Sequence, residues 1–311
     1  MLRFPMSWFL RSMGMAAIAS WLLPVVAIAQ PLPFPIGSPH ANVEARGRET
    51  QLQTLIRQTT VRLLTAKASG SGAIVQRRGQ VYTVLTNWHV VSFSQQHEIM
   101  TADGRRHVPI RPPQKVGNAD LAIVQFRSNV PYAVAKLSRE PLVEGDRLYA
   151  AGFPMYYPGS FTPTFDRGIQ GFRLTVGHVS LLLPKALYQG YRLGYSNEIE
   201  AGMSGGPIFN QRGELVGING RVKHRDPDFG VYAFEDGTEP SPALLSQMMG
   251  SSWGIPIATY LRFASPPTVA VPHSVALPRV SHRRQLPPAH PSALTGARLE
   301  TPTYSKTTLM E

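Results

Sequence analysis

The chain has no cysteine, which excludes a disulfide framework, a thiol nucleophile and any cysteine-based zinc site. Charge is also sparse, at 16% of 311 residues, and the formal net charge of +12 is not gathered anywhere. Segment 264–311 holds Arg279, Arg283, Arg284, Arg298 and Lys306 against Glu300 and Glu311, and the remainder is scattered in small pairs such as Arg77-Arg78 and Arg105-Arg106. Basic residues interleaved with aromatics, the pattern of a nucleic-acid-binding sheet, are missing, so no nucleic acid is expected as a partner. Long periodic helices are missing too. Twenty-eight prolines and 27 glycines instead favour short strands joined by turns, and 43% hydrophobic residues suffice for the core of two fused units.

The ends differ from the middle. Arg3 and Arg11 precede an apolar run from Met13 to Ala29, which closes on Ala27-Ile28-Ala29, the small-x-small form of a signal-peptidase site. The expectation is a signal peptide over 1–29, mature protein beginning near Gln30, a secreted or periplasmic location and no stable membrane span. A retained anchor is the competing reading, because the run approaches the roughly 18 residues that span a bilayer. Residues 30–50 read as a linker or short propeptide, with a short helix or lead-in over 51–57. Residues 264–311, rich in proline and without apolar periodicity, read as a disordered tail.

Chemistry concentrates in Glu198-Ile199-Glu200-Ala201-Gly202-Met203-Ser204-Gly205-Gly206-Pro207. A serine among three glycines can be presented openly, and glycine lets backbone adopt unusual dihedrals or approach a ligand. The N–H groups of Gly202 and Ser204 can converge on one point, an oxyanion hole. Upstream, Gly70–Val75 and Val81–Thr86 read as a hairpin about Gly79-Gln80 that delivers His89. Asp120 stands before the apolar strand Leu121–Phe126, where a carboxylate is costly unless hydrogen-bonded, and a histidine ring N–H would satisfy it. Asp103, before Gly104, reads as a turn residue instead.

Three segments in order carry a resemblance. Thr86-Asn87-Trp88-His89, Asn118-Ala119-Asp120-Leu121-Ala122 and Gly202-Met203-Ser204-Gly205-Gly206-Pro207 resemble the histidine, aspartate and nucleophile motifs of the trypsin-like serine peptidases with the chymotrypsin fold, across about residues 55–263. The flavour is that of bacterial extracytoplasmic members, without the PDZ domain that follows in one branch. The resemblance implies an all-β fold of two antiparallel six-stranded β-barrels, over 51–140 and 141–263, and a short closing helix. It further implies a His89, Asp120, Ser204 triad, with Gly202 and Ser204 as oxyanion donors, that cleaves polypeptide substrates through an acyl-enzyme without metal or cofactor.

One departure from the family pattern concerns activation. Met203 stands where digestive members have the aspartate that pairs with a newly exposed N-terminal amine, so other contacts must hold this loop. For the primary pocket, Glu198, Asn219, Gly220 and Arg221 are the candidates. Glu198 would favour basic side chains and Arg221 would oppose them, which leaves specificity open, as is the oligomeric state. A catalytically silent peptide-binding module and an esterase are the alternative functions.

Overall fold

In the computed structural model the described residues are 39–264, apart from 66, 67 and 95. The predicted signal peptide, and the tail beyond Ala264, lie outside them. The first sheet is built from β1 (Thr60–Leu64), β2 (Ser69–Arg78), β3 (Val81–Thr86), β4 (Glu98–Met100), β5 (Arg106–His107), β6 (Gln114–Lys115) and β7 (Ala122–Arg127). The second contains β8 (Lys136–Leu137), β9 (Arg147–Gly152), β10 (Arg173–Leu187), β11 (Tyr191–Tyr195), β12 (Pro207–Asn210), β13 (Glu214–Arg221) and β14 (Ser252–Pro256). Helices α1 (Pro39–Thr59), α2 (Trp88–Val91), α3 (Pro242–Met249) and α4 (Ile257–Ala264) decorate them.

The fold is all-β and chymotrypsin-like, but only one of the two expected barrels closes. In the second sheet β12 pairs with both β9 and β13, which joins β9, β10, β11, β14, β13 and β12 into a ring of six, with β8 added in parallel to β13. The first sheet runs β5-β4-β1-β2-β3-β7-β6 and stays open. Pro109, Pro112 and Pro113 lie between β5 and β6, and a proline has no N–H to extend a ladder. One backbone bond, Ile110 N–H to Gln125 O, crosses there, and the curled sheet is filled by rings: His107 lies 4.6 Å from Phe126, which stacks on Tyr82 at 5.1 Å.

Each unit has its own apolar centre, Val61, Ile74, Val84 and Phe126 in the first, Leu148, Val179, Leu193 and Ile208 in the second. A third cluster includes Tyr149, Phe209, Leu215 and Trp253 and takes in Leu52 and Ile56 from α1. That helix is longer than the lead-in read over 51–57. Its polar first half has no apolar period to signal it, and Tyr149 Oη anchors Glu49 at 2.8 Å. Closing helix α4, at the expected place, buries Ile257 and Tyr260.

Candidate active site

Strand order brings the first two candidate residues together. β3 and β7 are antiparallel neighbours in the register Thr86↔Ala122, so the exit of β3 and the entry of β7 share one edge. His89 lies three residues beyond that exit, in α2, and Asp120 two before that entry. The imidazole Nδ1–H donates to Asp120 Oδ2 at 2.6 Å, and His89 N–H donates to Oδ1 at 2.8 Å. Asn87 Nδ2 holds the Asp120 carbonyl at 2.8 Å. Asp120 is 2% exposed while the imidazole is 42% exposed, so the carboxylate sits behind a ring whose other face meets solvent. Burial would push the Asp120 carboxyl up. Hydrogen bonding from His89, its charge and the Tyr191 hydroxyl outweigh burial and hold the group below the usual carboxylate range.

Ser204 comes from the other unit, in the turn before β12. Its backbone is fixed by its neighbours: Gly205 N–H donates to Asn219 O, Gly206 N–H to Met203 O, and the Ser204 carbonyl accepts from Ser71 N–H, each at 2.9 or 3.0 Å. Gly202 takes φ +93°, and a Cβ there would stand 2.4 Å from Met155 N. Only glycine fits this corner. Among the described residues neither the Gly202 nor the Ser204 N–H has an acceptor, whereas the neighbouring N–H groups of Met203, Gly205 and Gly206 are engaged. The Ser204 hydroxyl donates to Gly220 O at 3.1 Å rather than to His89. His89, Asp120, Gly202 and Ser204 line one cleft of about 1030 Å³.

What holds the loop in place of an activation ion pair was not apparent from the sequence. Met203 is fully buried in the second unit's core. Ser71, read only as part of a strand, is also fully buried, and its hydroxyl donates to Gly202 O while accepting from Phe153 N–H, both at 2.8 Å. Asn219 is not on the cleft wall. It is fully buried behind the loop, where Nδ2 donates to Ala151 O and Oδ1 accepts from Tyr195. Glu198 also lies off the cleft, paired with Lys223 in solvent. Gly220 and Arg221 do line the cleft. The Arg221 guanidinium, however, is committed to Val231 O at 2.5 Å and Tyr188 O at 3.0 Å.

Residues 70–218 match the family profile described as "Trypsin-like peptidase domain", a span that contains all three motifs. This segment is a trypsin-like peptidase domain. Among relatives, a "Probable periplasmic serine endoprotease DegP-like" of Hahella chejuensis is 31% identical over 170 residues, which is 54% of this chain and 33% of that protein. "Serine protease HTRA1" of Xenopus laevis is 31% identical over 159 residues, 49% of this chain and 31% of that one. The chain thus spans about a third of the length of these curated relatives. The crystal structure of a serine endoprotease from Yersinia pestis aligns with a TM-score of 0.48 and 23% identity, over 68% of this chain and 64% of that one.

Proposed function

We propose that this trypsin-like peptidase domain makes the chain a serine endopeptidase that cleaves polypeptides through an acyl-enzyme, with His89, Asp120 and Ser204 as its triad. The observation that carries the reading is the His89–Asp120 pair in one cleft with Ser204, whose own N–H and that of Gly202 have no acceptor among the described residues. Ser204 Oγ attacks a carbonyl carbon as His89 takes its proton, and Asp120 holds the ring tautomer and stabilises the imidazolium. The N–H groups of Gly202 and Ser204 stabilise the oxyanion, each worth about 10²–10³ in rate. His89 returns the proton to the leaving amine, and water repeats the sequence on the ester. The hydroxyl must first leave Gly220 O, a rotation about one side-chain bond. No metal or cofactor takes part.

Residues 1–29 direct export and are removed, 30–50 link to the catalytic units over 51–140 and 141–263, and 264–311 trail from them as a Pro-rich tail. The apolar run ending Ala27-Ile28-Ala29 and the periplasmic naming of the DegP-like relative support this arrangement. Incubating the purified chain and Ser204→Ala with an unfolded polypeptide, and comparing peptide with ester turnover, tests the reading. Cleavage by the parent and none by the variant is expected, and equal inactivity overturns it. The engagement of Ser204 by Gly220 favours one second reading, a silent module that binds peptides in the same cleft.

A further inference from the structure

We propose that Tyr191 is a positioning residue for the catalytic pair, fixing the Asp120 carboxylate from across the seam and setting how strongly it polarises His89. The inference rests on the triad reading above and adds a residue to it. Tyr191 opens β11 in the second unit, whereas Asp120 belongs to the first, and the phenol Oη donates to Asp120 Oδ2 at 2.5 Å. That oxygen is the one that accepts from the imidazole. Tyr191 therefore shares the lone pairs on which the orientation of the histidine ring depends.

Three features commit the ring to this place. Tyr191 is 1% exposed. The chain opposite is glycine: a Cβ on Gly220 would stand 2.2 Å from Tyr191 Cε1 and 2.4 Å from its oxygen, so the phenol fills a space that any side chain at 220 would take. The Arg221 guanidinium lies 4.0 Å over the ring and is itself held by the carbonyls of Val231 and Tyr188. A fixed cation over the ring makes the O–H a stronger donor. Burial, and then the charge of Asp120, push the Tyr191 hydroxyl well above its ordinary range, so it remains a proton donor wherever the carboxylate is ionised. The charged and titratable groups around the pair are His89, Asp120, Tyr191 and Arg221, with Arg225 further along the cleft.

A hydroxyl that donates to Asp120 neutralises part of the charge facing the imidazole. Its removal leaves more of that charge, which favours the protonated ring and moves the acid limb of the kcat/KM profile to higher pH. It also frees the carboxylate to turn, which costs turnover rather than ground-state binding.

The test uses the full chain, its Tyr191→Phe variant, which keeps the ring and loses only the hydroxyl, and Gly220→Ala, whose methyl pushes the phenol off the carboxylate. For each, pH profiles of peptide hydrolysis are recorded per folded molecule. Tyr191→Phe is expected to lower kcat about ten- to a hundredfold, with KM within about twofold, and to raise the acid limb. Gly220→Ala should shift the limb in the same direction although the Tyr191 hydroxyl is intact, so the proposal stands or falls on it if the first variant does not fold. Parent activity with variant profiles that superimpose on it, or variants that merely melt earlier, overturns the positioning role while sparing the triad. A parent no more active than Ser204→Ala overturns both.

Discussion

Ser71 and Gly202 are 131 residues apart in sequence, yet the hydroxyl of the first donates to the carbonyl of the second at 2.8 Å. The same oxygen accepts from Phe153 N–H, and Ser71 N–H meets Ser204 O. One small residue of the open sheet thereby holds the loop that presents the candidate nucleophile at two points, Gly202 through its hydroxyl and Ser204 through its backbone N–H. Ser71→Ala leaves two buried backbone groups without partners, at a cost of about 2–4 kcal/mol. Urea denaturation should show that loss, and kcat should fall more than KM rises.

Gly205 has φ +83°, and a Cβ there would meet Thr86 Oγ1 at 2.1 Å and Ser71 O at 2.2 Å, both fixed by a mutual hydrogen bond of 2.7 Å. Gly205→Ala should cost at least about 3 kcal/mol and abolish turnover. Thermal melting and a turnover assay check it, and a variant of parental Tm and activity would contradict the packing described.

A buried cation ties the first sheet to the loop between β9 and β10. Arg62 is fully buried and donates to Thr164 O, Thr164 Oγ1, Gly168 O and Ser69 Oγ at 2.8–3.1 Å, and among the described residues no carboxylate accepts from it. Arg62→Met should cost about 3 kcal/mol and speed hydrogen exchange at Arg167 and Phe172, whose N–H groups close that loop. Arg62→Lys should not restore it, since an ammonium lacks the planar fork.

Much of the site was legible because its motifs are short and contiguous. The His89–Asp120 pair also follows from two adjacent strands, since a histidine after one and an aspartate before the next must share an edge. Tyr191 and Ser71 were not legible: each acts only through a partner on the opposite unit, and in sequence they are ordinary strand residues. Asn219 was misplaced to the cleft wall because alternation along β13 does not say that its side chain turns behind the loop. The open first sheet was written in Pro109, Pro112 and Pro113, whose effect on barrel closure appears only when the edges face each other.

Acid should weaken the junction of β8 and β13. The Glu214 carboxyl is lowered to about 2 by hydrogen bonds from Lys136, Asn210 and Arg212. A folded-state value below the unfolded one means that its stabilisation is full above about pH 4.5 and is lost as pH falls toward 2. Glu214→Gln should be less stable than the parent at pH 6, with the difference shrinking at pH 3. Denaturation at the two pH values decides it, and a constant difference would contradict the assignment.

Covalent labelling by a fluorophosphonate, read as the mass of the intact protein and of its peptides, bears most directly on the proposed triad of His89, Asp120 and Ser204. One adduct on Ser204 is expected, formed at least about 10³-fold more slowly in His89→Ala. No adduct on Ser204 in folded parent protein, or equal rates with and without the imidazole, would contradict it.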